Sequence, residues 1–484
     1  MKKTTILICA LVLLLPIFTF GCKDNGQGDI TTYDITCELD GHTLNGVETV
    51  NFINTSNTTV KQLKFNLFAN AFRKDAIYSP ISAQYVDKSY PHGLSYGDMQ
   101  INDAFVENNK ANFNIGGVDK NILTIDLNKE VFPDECISVK IDFTLNLANV
   151  IARTGYNDKT INLANFYPIL CAFSKGSFYE CVYYSFGDPF YSDCANYKVK
   201  LTCDKKYTVA SSGVEIDKKQ IESKQTCSYK INNARSFAFV LSQNFKCESD
   251  DSTGIKINYY YYDDQTPKTS ISYAVKAINL FQSKFGAYPY KTFSVVQTGF
   301  VQGGMEFPAL VMISDELSGL PYGEVIVHET AHQWWQTAVG NNEIEYGFLD
   351  EGLTEYSVVL FYENYSEYGY TRQGLIKASE QTYKVFCSVY DKLQKKVDTT
   401  MIRSLKDFSS EYEYVNIAYI KPCIMYDYLR TTIGETRFFN SLRKYYDNYK
   451  FKNVTPDDLV GAFEKTGADT NGFFNSFFEG REII

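Results

Sequence analysis

The hydrophobic pattern of this 484-residue chain changes period once, and that single change limits the folds open to it. From Ile30 to about Gln243, apolar and polar residues alternate in short runs. Tyr33-Asp34-Ile35-Thr36-Cys37-Glu38-Leu39, Val47 to Ile53 and Ile137 to Leu145 are examples, and turn clusters such as Asp40-Gly41 and Ser211-Ser212-Gly213 separate them. A period of two sends alternate side chains to opposite faces of a strand, so this half predicts an antiparallel β-sandwich. After Asp250-Asp251-Ser252-Thr253-Gly254 and one further strand, Ile255 to Tyr262, the spacing lengthens to three and four residues. Thr269 to Phe285, Tyr322 to Val339, Leu349 to Tyr365 and Ala418 to Thr432 then read as amphipathic helices. The expected fold class is multidomain α+β, with an antiparallel β domain over 30–247 followed by a mainly α-helical domain over 248–484.

The first residues carry an address rather than structure. Lys2 and Lys3 precede an apolar run from Ile6 to Phe18, which ends near Gly21-Cys22. That run is shorter than the roughly 20 residues a membrane span needs, but it suits the core of a secretory signal. Gly21-Cys22 resembles the processing site of bacterial lipoproteins. The expectation is therefore a signal peptide over 1–21, a lipid-carrying Cys22 and a polar linker over 22–29, which would tether the protein outside the bacterial cell membrane. Ordinary cleavage near Gly21, giving a secreted chain, and an uncleaved anchor are the alternatives. Acids outnumber bases, for a net charge of −10, so the basic footprint of a nucleic-acid binder is missing. Ten cysteines remain beyond the leader without a Cys-x-x-Cys pair, which argues against a cysteine zinc site and leaves disulfides and buried thiols both open.

Only four histidines occur, and two of them form His328-Glu329-Thr330-Ala331-His332. Residues four apart share one helix face, so both imidazoles can reach one metal ion. Zinc takes such nitrogen and oxygen ligands in a tetrahedron and, in hydrolytic sites, keeps one position open. Val339-Gly340-Asn341-Asn342 reads as a helix stop, and the next helix begins near Leu349-Asp350-Glu351-Gly352. Glu351 can then come from an antiparallel neighbour as the third ligand. Glu355, one turn later on the same face, either orients a ligand or is exposed. His42 and His92 sit in turn-like surroundings and read as surface residues.

His328 to Trp335, followed by Phe348-Leu349-Asp350-Glu351-Gly352-Leu353-Thr354, resembles the aminopeptidase N family of zinc metallopeptidases. Gly303-Gly304-Met305-Glu306-Phe307 is similar to its Gly-x-Met-Glu-Asn segment, with Phe307 in place of Asn. Tyr419-Ile420-Lys421-Pro422 is similar to its Tyr-x-Lys-Gly segment, with Pro422 in place of Gly. In the β half, Leu67 to Phe72, Phe166-Tyr167-Pro168 and Gly187-Asp188-Pro189-Phe190-Tyr191 resemble bacterial members. The resemblance implies a saddle-like β domain, a thermolysin-like catalytic domain and one Zn²⁺ held by His328, His332 and Glu351. It further implies Glu329 as general base, Tyr419 as donor to the oxyanion, and Gly303, Gly304, Met305 and Glu306 as the segment that holds a peptide with a free amino terminus. A second polar anchor for that amine is usual in the family and cannot be aligned here. After the metal-binding helices about 130 residues follow, enough to finish the catalytic domain but short of the helical C-terminal domain of many relatives, which implies a cleft that is more open or is covered by a partner subunit. Two other functions fit the same residues. One is a zinc endopeptidase in which Glu306 is an ordinary strand residue; the other is a surface binding protein on a metallopeptidase fold that no longer turns over.

Overall fold

The computed structural model describes residues 30–394, 396–464 and 470–481. The signal segment, the linker and Cys22 lie outside the described residues.

The first half is built on an eight-stranded sheet. Its spatial order is Val214–Ile221, Lys224–Ala234, Ala195–Asp204, Thr32–Asp40, Thr43–Ile53, Cys136–Asn146, Asp98–Val106 and Asn109–Lys110. All neighbours are antiparallel except Thr32–Asp40 with Ala195–Asp204, where the chain returns in parallel after a long excursion. The alternation in sequence becomes alternation in burial: Tyr33, Ile35, Cys37 and Leu39 point inward while the residues between them are exposed. Each such side chain contributes about 1.5–3 kcal/mol on burial. Two four-stranded sheets complete this half, one of them containing Ile161–Leu163 and Phe239–Ser242, the other Val60–Asn66 and Ile122–Val131. The ten cysteines beyond the leader stand as free thiols, most of them buried in this framework or between the helices.

One inward position breaks the apolar rule. Glu48 lies within the strand Thr43–Ile53, fully buried beside Tyr33, Tyr167 and Tyr197, and neither carboxylate oxygen has a hydrogen-bond partner. Burial raises its pKa well above the ordinary value for a glutamate. A carboxyl whose folded pKa is raised gives its full stability below the unfolded pKa, and that stability is lost as pH rises towards the folded value. Glu48→Gln removes the titration, so its stability relative to the wild type is expected to rise between pH 4.5 and pH 8. Thermal unfolding at the two pH values checks this; a midpoint that falls relative to the wild type between them would contradict it.

The second half holds more strand than its sequence pattern suggests. A five-stranded sheet runs in the order Lys246–Asp250, Lys256–Tyr261, Thr292–Thr298, Leu310–Ser314 and Gly304–Phe307. Thr292–Thr298 and Leu310–Ser314 are parallel neighbours, almost wholly buried on both faces, so they read as plain apolar runs and show no period of two. Gly304–Phe307 is the edge, antiparallel to Leu310–Ser314. The helix Gly319–Ala331 lies against this edge strand on one side and against the helix Phe348–Asn364 on the other. The largest cluster of buried apolar side chains runs without a break from Tyr33 of the β half to Phe478 of the last helix. Among the described residues, no helix is long and apolar enough to cross a membrane.

Candidate metal centre and peptide cleft

The helix Gly319–Ala331 carries His328 and Glu329, and His332 follows as its C-cap. Four-residue spacing brings the two Nε2 atoms to 3.1 Å from one another. Glu351, in the first turn of Phe348–Asn364, points Oε2 between them, 3.3 Å from His328 Nε2 and 3.2 Å from His332 Nε2. That oxygen is buried and accepts no hydrogen bond. Ligand atoms around a tetrahedral zinc with bonds near 2.0–2.1 Å are separated by about 3.3 Å, so all three distances fit one ion.

The far side of each ring is held. His332 Nδ1 lies 3.0 Å from the Trp335 carbonyl and 3.2 Å from Thr354 Oγ1. His328 Nδ1 lies 2.9 Å from Glu355 Oε1, so of the two readings of Glu355 the structure supports the orienting one. Such contacts fix which nitrogen faces the ion. The surrounding charge favours a cation here. Burial opposes a charged His332, yet Glu306 and Glu351 push its pKa up to about 10. Burial also opposes a charged Glu351, and His332 and His328 override it, bringing that carboxyl down to about 2.

Glu329 stands beside the triad, 4% exposed, with Oε2 unpartnered. Its burial raises the carboxyl to about 7, against the pull of His328 and His332. The edge strand passes so close that a Cβ on Gly304 would lie 2.3 Å from Glu329 Oε1. Gly303 has another reason to be glycine: its φ is +94°, in the region that side chains disfavour. Glu306 is 4% exposed with Oε1 unpartnered, and its ligand atom falls within 4.8 Å of those of Glu329 and His332.

Met305 departs from its expected place. Strand alternation sends Gly304 and Glu306 to the cleft, but turns Met305 and Phe307 into a small apolar cluster with Leu310 and Met312. The Met305 sulfur accepts from Arg153 Nε at 2.9 Å. Phe307, where the family has Asn, is buried in that cluster, and its carbonyl accepts from Gln333 Nε2 at 3.2 Å.

Tyr419 lies on a π-helical turn, Val415–Ile420, that precedes the helix Lys421–Ile433. The expected single helix from Ala418 is therefore interrupted, and such turns gather at functional sites. The Tyr419 hydroxyl donates to Glu351 Oε1 at 2.6 Å, and the ring lies parallel to His328, 6.1 Å between centroids. Burial, then Glu351, keeps its pKa well above that of a free phenol, so the proton stays on. Lys421 faces away and donates to the Thr399 and Phe477 carbonyls.

The β half supplies two residues to which sequence reasoning gave no role. Asp188, in the Gly-Asp-Pro segment, lines the cleft and pairs with Arg153 at 2.5 Å, both buried. Arg153 stacks on Phe190 and Phe300. The only signal was the segment itself, and its partner lies 35 positions away.

Two histidines, a glutamate one helix later and a carboxylate beside the first ligand define a metallopeptidase centre of the gluzincin kind. Residues 269–477 match the Peptidase family M1 domain. Endoplasmic reticulum aminopeptidase 2 of Homo sapiens is 21% identical over 303 residues, 58% of this chain but 30% of that protein. Aminopeptidase B of Homo sapiens is 26% identical over 191 residues, 37% of this chain and 28% of its own length, so the chain spans about a third of these curated relatives. The M1 zinc metallopeptidase of Deinococcus radiodurans, known from crystal structures, shares the fold with a TM-score of 0.68 at 15% identity, over 94% of this chain and 95% of that one. A mutant of that enzyme was crystallised with a Tyr-Ser-Ala substrate. Residues 269–477 thus match the M1 peptidase domain, the chain shares the two-domain fold of a solved M1 zinc metallopeptidase, and its motifs resemble those of the aminopeptidase N family.

Proposed function

We propose that this protein is a zinc aminopeptidase that removes the first residue from peptides with a free amino terminus. The observation that carries this reading is the distance of Glu306 from the metal triad. In a peptide, the α-amino nitrogen lies about 2.5 Å from the first carbonyl carbon. A carboxylate that holds that ammonium by a hydrogen bond of about 2.8 Å must then stand roughly 5 Å from the reacting carbonyl. The burial of Glu306, its unpartnered Oε1 and the lie of one of its oxygens within 4.8 Å of ligand atoms of Glu329 and His332 support that reading. The free edge of Gly304–Phe307 suits an extended peptide added as a further strand.

The zinc, when bound, polarises the scissile carbonyl and makes water acidic enough to attack near neutral pH. Glu329 takes the proton of the attacking water and passes it to the leaving amine. Tyr419 donates its hydroxyl proton in a hydrogen bond to the oxyanion that develops on the carbonyl oxygen. Glu306 fixes the amino terminus, so that only the first peptide bond reaches Glu329. Paired peptides that differ only by N-acetylation test this reading. The free peptides are expected to lose one residue at a time, and the acetylated ones to resist hydrolysis by at least about 100-fold. Equal cleavage of both would favour an endopeptidase instead.

A further inference from the structure

Carboxylates outnumber cations in this cleft. Asp188, Glu306, Glu329, Glu343, Asp350 and Glu351 are each more than nine-tenths buried. Glu306, Glu343 and Asp350 bring one oxygen each to within 4.8 Å of one another. Proximity of acids alone would mean little, but their hydrogen bonding is also incomplete. Oε1 of Glu306 and Oε1 of Glu343 have no partner, whereas Asp350 Oδ1 accepts from Asn341 Nδ2 at 2.9 Å.

A small cavity adjoins Glu306 and Glu343, and Gln336 on its wall has an unpartnered Oε1 as well. The centre of a water-sized particle has about 20 Å³ to move in, while one water or small ion needs roughly 10–15 Å³ on that measure. A substrate side chain would not fit. Arg235 borders the cavity, but its guanidinium donates to the Gln336, Ser192 and Lys452 carbonyls and to Asn453 Oδ1, not to the acids.

We propose that Glu306, Glu343 and Asp350 bind a second cation, hard and of calcium size, beside the zinc centre. The donors are all oxygens, which disfavours zinc. Magnesium keeps several of its waters, and a cavity with room for about one does not take them, whereas calcium accepts its oxygens from protein groups. Such an ion would tie the amine anchor Glu306 to the start of the helix that carries Glu351.

The test needs no turnover. The full chain is stripped of metals, reloaded with zinc and titrated with calcium chloride, with magnesium and sodium chlorides at matched ionic strength as controls. Equilibrium dialysis with elemental analysis gives the stoichiometry, and thermal unfolding gives the stabilisation. The expected result is a single calcium per chain besides zinc and a midpoint raised by several degrees. Glu343→Gln and Asp350→Asn should each weaken calcium binding by at least about tenfold while zinc is kept. Absence of saturable calcium binding in the wild type would overturn the proposal, as would an equal shift with sodium. Variants at least as stable as the wild type in calcium would also overturn it, since carboxyl groups that merely share protons behave that way.

Discussion

Glu329→Gln is expected to lower kcat by about 100- to 10,000-fold while the zinc content and the unfolding midpoint stay near those of the wild type. The amide has the shape of the carboxylate but cannot take up a proton. Glu329 holds no other part of the structure in place: its Oε2 has no hydrogen-bond partner, and its role rests on standing next to the triad without belonging to it. KM should change little, because in the proposed reading Glu306, not Glu329, holds the amine. Steady-state kinetics with an aminoacyl substrate, on protein whose zinc has been quantified, measures this. A variant that retains kcat would remove Glu329 from the reaction.

Tyr419→Phe is expected to lower kcat by about 100- to 1,000-fold. Two roles compete for this hydroxyl. It donates to Glu351 Oε1 at 2.6 Å, which suggests support of a metal ligand, and it lines the same cleft as Glu329, which suits the proposed oxyanion donor. Zinc affinity separates them. Loss of a group that orients a ligand weakens metal binding by about 10- to 100-fold, whereas loss of an oxyanion donor leaves it unchanged. We expect zinc affinity to hold and kcat to fall. A variant that loses zinc and recovers its rate when zinc is added in excess would assign Tyr419 to the metal site alone.

The sequence was most legible where a period or a spacing is dictated by backbone geometry. Alternation from Tyr33 to Leu39 predicted an inward face, and that face is buried. The spacing of His328 and His332 predicted two rings on one side of a helix, and Glu351 comes from the helix Phe348–Asn364 to meet them. Sites that depend on distant pairing were opaque. Asp188 needs Arg153, and Glu306 meets Glu343 and Asp350 only because an edge strand and two helix starts converge. Strands buried on both faces, such as Leu310–Ser314, lack the period that would announce them. Met305 was grouped with its neighbours by motif, whereas strand alternation alone would have turned it away from Glu306.

The most direct test of the account is the zinc content of purified wild type and Glu351→Ala after equilibration with zinc and extensive dialysis. The account predicts a single zinc per wild-type chain and its loss from the variant, whose two imidazoles would lack the closing carboxylate. Full zinc retention by Glu351→Ala, or a wild type that keeps none, would contradict it.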